Sequence, residues 1–433
     1  MTPRVKTGGR GSKSEGSDSG PIIASLDSLR RLAVAKQRLS GKAPRKASKE
    51  SLLSVVRDLA YVQWDPVPIV APSHVLSFWA RVGDFQLSDL DDLLWKDRKL
   101  VQHWIPFAAI VLAEDHPLYG SLMRRYPDSL SESWGRQRDQ ARRFLDRHIA
   151  LRRKVLRTLR QGPLTVSQFE DHARTLRNEG GWGSASDVSV MLYHLLMRGE
   201  VMVVRHDGAQ NVWGLAERFL PEWGGRHALS QDDAECTAAE RAIRALGTAT
   251  RREIHFHYIR GCYEDLQSAL GRLRERSLIH PVVVDGSAGQ REERYIHDRD
   301  VSLLESLDSE LPEPRVTLLP PFDNLVYSQA RLRRLFGFDY VREQFLPKEK
   351  RRFGTYVLPI LWGDRLIGRV DPRLDKRGGK LVVQSVHAER AAPKERSVAV
   401  GIADKIADLA HFLGAEEVAY TSHVPDPWRS AFR

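Results

Sequence analysis

One succession of elements occurs twice in this chain and limits what it can fold into. Between Leu145 and Glu217, helical spacing of apolar residues runs through Leu145–Arg160, Val166–Leu176 and Ser186–Met197. Two alternating apolar runs, VMVV and VWGL, then flank the polar turn HDGAQN. Between Thr237 and His297 the succession returns: helices over Thr237–Leu246, Arg251–Ile259 and Glu264–Arg276, then IHPVVV and REERYIH around Asp285-Gly286. An isolated two-stranded hairpin is marginal in water, so each hairpin must lie on the helices that precede it. Three helices closed by a hairpin is the winged-helix arrangement, in which one helix can enter a nucleic-acid groove and the wing can touch the neighbouring backbone.

The N-terminal part offers a third copy. Leu26–Leu39, Ser51–Tyr61 and Ser73–Val82 have helical spacing, and Lys99–Leu112 reads as a strand and turn. From Pro312 onward the character changes. GTYVLPILW, DRLIGRVD and KLVVQSVHAE alternate between Gly and Asp turns, which predicts a small antiparallel sheet or partial barrel, and Ser397–Leu413 predicts a closing amphipathic helix. The expected fold is therefore α+β, with tandem winged-helix units and a C-terminal β-rich domain. The expected divisions are a disordered basic tail over 1–20, winged units over 21–140, 141–230 and 231–311, and the β-rich domain over 312–433; 433 residues are enough for several compact units.

Charge bears on partners. The chain carries 67 Lys and Arg against 56 Asp and Glu, a net +11, which suits a polyanionic partner such as nucleic acid. Two cysteines are too few for a disulfide framework or a paired-cysteine zinc site. No apolar run is long enough to span a bilayer and no apolar leader opens the chain, so the expectation is a cytoplasmic protein associated with the nucleoid. Asp89, Asp91 and Asp92 lack a second acidic cluster and read as a solvated helix start, and His255 and His257 cannot share a helical face; no metal is expected.

The chemistry concentrates in Tyr61–Pro68, YVQWDPVP. Prolines at 66 and 68 hold Asp65 and Val67 extended, and side chains at i and i+2 of an extended segment point the same way. Gln63 and Asp65 then share one face and Trp64 takes the other. A carboxylate can accept a proton or stabilise a cation, and a neighbouring amide can both donate to and accept from water. A turn-closing Asp65 with an exposed Gln63 is the plain structural alternative. On the following helix, His74 and Arg81 lie seven apart on one face and are expected to reach toward the same groove and contact DNA, the alternative being a half-buried histidine and a solvated arginine.

The runs YVQWDPV and SHVLSFWAR near the N-terminus, and LLPPFDNLV, RLRRLFGFDY and KRRFGTYVLPILWGDRLIGRVD near the C-terminus, resemble those of the winged-helix DNA glycosylases of the AlkZ and YcaQ type. The resemblance follows motif order over most of residues 25–420, and its most specific part is the block from PFDNL to GRVD. It implies three tandem winged-helix units and a β-rich domain around a DNA-sized channel, excision of bulky alkylated guanines, and unhooking of interstrand crosslinks. The family's Gln-x-Gln or Gln-x-Asp signature falls on Gln63 and Asp65. The Gln-x-Asp form is similar to the YcaQ branch, associated with broad tolerance of substrates. This chain differs in carrying Trp64 between the two and in its basic tail.

Guanine alkylated at the seven-position nitrogen is cationic and leaves as a neutral base, so no general acid is required. What remains is to stabilise an oxocarbenium-like sugar and deliver water, tasks suited to one carboxylate and one amide. No lysine adjoins the motif, so the expectation is a monofunctional hydrolase of base excision repair that needs no cofactor and acts as a monomer on double-stranded DNA with alkylated or crosslinked guanines. Lys348, Lys350, Arg351 and Arg352 are the expected phosphate contacts. A crosslink hinders extrusion of one nucleotide, which predicts an open channel. The alternative is a non-catalytic winged-helix regulator, in which a carboxylate on the DNA-facing surface would repel phosphate.

Overall fold

The computed structural model describes residues 20–42, 47–65, 67, 69–104, 108–169, 187–221, 229–285, 292–309, 313–421, 424–426 and 428–432. Residues 1–19 of the expected tail, the part of the expected helix beyond Phe169 and the turn at Gly286 lie outside them.

Three times the chain runs helix, short strand, two helices, hairpin. In the first unit, helix Lys49–Leu59 leads to strand Val62–Gln63, helix Ser73–Val82, and a short helix Leu87–Asp91 that continues as a π-helical turn, Asp92–Lys96. The hairpin Leu100–Trp104 and Ala108–Leu112 follows, and Val62–Gln63 pairs antiparallel with its second strand. The helix start is fixed by Ser48, whose hydroxyl caps Ser51 N while the Ser51 side chain accepts from Ser48 N. In the second unit, Leu164–Thr165 pairs with hairpin strand Gln210–Leu215; in the third, Thr248–Thr250 pairs with Arg294–His297. Those two short strands were not expected, because two or three residues show no alternation.

The N-terminus departs from the expected division. Strand Ile22–Ala24 pairs parallel with Ile279–Val284 of the third unit, and helix Leu26–Lys36 shares a core with Val282, Ile296 and Leu304. A lone strand gains its backbone bonds only at a sheet edge, and the third unit's wing supplies one. The expected helix Leu145–Arg160 is instead two helices, Gly135–Arg147 and Ile149–Leu159. They break at His148 (φ −110°, ψ 34°), whose ring stacks on Phe144 at 4.4 Å.

The C-terminal sheet runs in the order Val316–Leu318, Leu358–Trp362, Arg365–Asp375, Lys380–Ala388 and Glu417–Tyr420, a curled half-barrel. Its last strand is parallel to its neighbour because helix Arg396–Phe412 carries the chain back across the sheet.

Two large cores result. The first unit and the C-terminal sheet share one, from Leu52, Phe78 and Leu100 to Ile360, Val370 and Ile402. The second and third units share the other, from Leu145 and Leu192 to Ala242 and Leu270. The strand carrying Gln63 lies on their seam: Tyr61 packs into the second core and Val62 into the first.

Candidate active site

The backbone at the seam is held from both sides. Gln63 pairs with Ala109, Trp64 N donates to Ala108 O at 2.9 Å, and Asp65 O accepts from Ser73 N at 3.2 Å. Extended backbone through this stretch makes side chains alternate. On one face lies Trp64, stacked between His74 (4.1 Å) and His206 (5.1 Å) from the second unit's wing. On the other face the residues are Tyr61, Gln63 and Asp65.

Asp65 is 8 % exposed. Its Oδ1 accepts from Val67 N at 3.4 Å, the turn anticipated as the plain alternative, and this leaves Oδ2 buried without a hydrogen-bond partner among the described residues. Gln63 Oε1 is buried and unpartnered in the same sense. Two such oxygens on one strand face are costly in a folded protein unless something arrives to use them. Burial pushes the Asp65 carboxyl above its usual range, with the Val67 N–H acting weakly against it. The Tyr356 hydroxyl lies near enough for the Asp65 charge to raise it further above the usual phenol value than burial alone does.

The residues expected to reach the groove with this pair do not. Arg81 is 1 % exposed. Its Nη1 and Nη2 bind Asp323 at 2.5 and 3.0 Å, and its Nε donates to Gln37 O, so the guanidinium serves the interior. His74 is buried against Trp64, and burial drives its ring down to about 3, so it stays neutral and offers no charge to phosphate. The apolar helix Ser73–Val82 is buried along its whole length, which explains both corrections. Of the C-terminal basic cluster, Lys348, Lys350 and Arg352 are exposed. Arg351 turns inward, donating to Leu346 O and Thr355 Oγ1 at 3.0 Å. The acidic helix start is ion-paired: Lys49 Nζ reaches Asp92 at 2.6 Å and Asp97 at 2.9 Å.

The C-terminal motifs hold the site in place, a task their sequence alone does not show. In PFDNL, Asp323 binds Arg81, and Asn324 Nδ2 donates to Leu59 O (3.3 Å) and Tyr61 O (2.9 Å), which clamps the strand just before Gln63. In GRVD, Asp371 accepts from Thr355 N and Tyr356 N at 3.0 and 2.8 Å, fixing the tyrosine that stands by Asp65. Gly354 is required there: its φ is +146°, and a Cβ would collide with the Asp371 carboxylate. Glu343 Oε2 accepts from the next three N–H groups, Arg352, Phe353 and Gly354. The available signal was polar residues inside otherwise apolar runs.

Residues 56–412 match the family described as "DNA glycosylase AlkZ-like". Among solved structures, "Streptomyces sahachiroi DNA glycosylase AlkZ" is 18 % identical, with a TM-score of 0.62 over 92 % of this chain and 100 % of that one, a likeness of fold.

Proposed function

The chain belongs to the AlkZ-like DNA glycosylase family, and from that premise we propose that it hydrolyses the N-glycosidic bond of guanines alkylated at the seven-position nitrogen and unhooks interstrand crosslinks built on that atom. The observation that carries this reading is the pair of buried oxygens on Gln63 and Asp65 that have no hydrogen-bond partner among the described residues. A carboxylate oxygen in low dielectric favours a cation beside it more strongly than the same oxygen in water.

Departure of the cationic base takes the bonding pair with it, leaves neutral alkylguanine and puts positive charge on the sugar. Asp65 stabilises that charge. Gln63 accepts a hydrogen bond from the incoming water and holds it in line, and Asp65 takes the water's proton as oxygen bonds to the anomeric carbon. Products are free base and an abasic site. No lysine lies between Lys49 and Lys96, so the stretch supplies no amine for a covalent sugar adduct, and the enzyme is monofunctional. Phosphate contacts come from Lys348, Lys350 and Arg352, while Arg351 braces their loop.

The test is base release from one duplex carrying 7-methylguanine and another carrying a nitrogen-mustard crosslink, read by alkaline cleavage and by strand separation. The reading expects release and unhooking without strand scission before alkali. Tight, salt-sensitive binding with no release from either duplex would replace it with the regulator.

A further inference from the structure

Phe345 is the most exposed large aromatic side chain among the described residues, at 69 %. It ends a 3-10 turn, Glu343–Phe345, and that turn is rigidly held. Leu346 N donates to Glu343 O at 2.9 Å, Arg351 grips Leu346 O, and the Glu343 carboxylate binds the three N–H groups named above. The Phe345 ring rests edge-on against Phe322 at 6.1 Å. Behind it, the Arg342 guanidinium covers Phe322 (5.5 Å) and Tyr327 (5.2 Å), and Arg260, from the third unit, covers Tyr327 at 4.8 Å and hydrogen-bonds its hydroxyl. An apolar ring thus projects from a braced platform of aromatic and guanidinium groups.

That platform adjoins the candidate active site. Phe322 to Tyr327 is the loop whose Asn324 clamps Tyr61 O, and Arg260 and Tyr327 lie close enough to act electrostatically on the Tyr61 hydroxyl. Tyr61 is on the strand face of Gln63 and Asp65. The loop that carries Phe345 is basic at its surface: between 343 and 352, Lys348, Lys350 and Arg352 are exposed against one exposed acid, Glu349. An exposed ring in a basic loop, standing on a platform that reaches Tyr61, fits an anionic partner with an apolar interior, and the base stack of a duplex is such a partner.

We propose that Phe345 is a wedge that enters the base stack of the DNA beside the lesion, and that Arg342, Phe322 and Tyr327 are the platform that positions it. The inference rests on the glycosylase reading for its purpose: a base tied to both strands cannot be freely extruded, so access to its sugar must come from parting the stack. A pre-ordered ring loses little conformational freedom on insertion.

The test uses the full chain, Phe345→Ala and Phe345→Trp, with a duplex placing 2-aminopurine beside a 7-methylguanine on a 2′-fluorinated sugar that resists cleavage. Native protein should raise 2-aminopurine fluorescence as the stack opens. Phe345→Ala should lose that rise and slow single-turnover excision from the unfluorinated duplex by about tenfold or more, the scale set by unstacking. It should bind undamaged duplex within about threefold of native, and Phe345→Trp should recover the fluorescence. A native fluorescence rise and rate in Phe345→Ala would overturn the wedge, and so would an equal loss of affinity for undamaged DNA. A rise in the native protein that disappears in Phe345→Ala, with no base released by the native protein, would support the wedge and count against the proposed chemistry instead.

Discussion

Asp65 is buried, and that burial has a consequence for stability. The carboxyl's pKa is raised in the folded protein, so the folded state holds a proton there more tightly than the unfolded chain does. Its stability is greatest while Asp65 is protonated, falls as pH rises from the ordinary carboxylate value through the raised folded value, and stays lower above it. Asp65→Asn removes the charge. The variant should therefore melt above the native protein at pH 7, with the gap closing near pH 4, where the unfolded carboxyl also protonates; a lower melting temperature at pH 7 would contradict an uncompensated carboxylate. The same shift places the acidic limb of native excision above the ordinary carboxylate range, because only the ionised form serves. Of the side chains, Gln63, Asp65 and the opposite face of Trp64 were legible from alternation and two prolines. The burial of His74 and Arg81 was not, since seven-residue spacing names a helix face without saying what covers it.

At the scale of elements, the polar residues of the C-terminal motifs fasten the strand that carries Gln63 from outside its own unit. The Arg81–Asp323 pair is wholly buried, and removing one partner strands the other. Asp323→Ala should cost about 3–5 kcal/mol of unfolding free energy. Asn324→Ala frees two backbone carbonyls before Gln63 and should slow excision about tenfold with DNA affinity kept, through displacement of the strand. Denaturant unfolding and single-turnover kinetics separate the two; an Asn324→Ala enzyme of native rate would remove the clamp from the account. Hairpins, long helices and the β-rich character of the C-terminal region were readable because apolar alternation and helical spacing recur over many residues. The strands at Leu164 and Thr248 were too short to show a period, and strand Ile22–Ala24 owes its place to a sheet edge more than 250 residues away in sequence.

Across the whole molecule, charge is unevenly placed. Residues 135–160 contain ten Lys and Arg and two Asp, a formal +8 within a chain of +11. Four of these arginines, Arg152, Arg153, Arg157 and Arg160, line a cleft of about 690 Å³ beside the second unit's wing. Arg152 is paired with Glu200, while Arg153 and Arg157 are exposed. If this face holds flanking phosphates, reversing Arg153 and Arg157 to Glu should weaken binding to any duplex and flatten its salt dependence by about two to four contacts, with single-turnover excision at saturating protein retained. Unchanged affinity would make the face a solvated surface. The sequence already shows the positive charge gathered over 135–160; the fold adds that the stretch is two helices and that four of its arginines face one cleft.

The most direct test of the central claim compares native protein and Asp65→Asn for affinity toward a 7-methylguanine duplex and for single-turnover release of the base. The account predicts affinity within about threefold and release slowed at least about a hundredfold, the scale of losing one preorganised transition-state contact. Release at the native rate, or loss of binding as large as the loss of release, would contradict the role of this carboxylate.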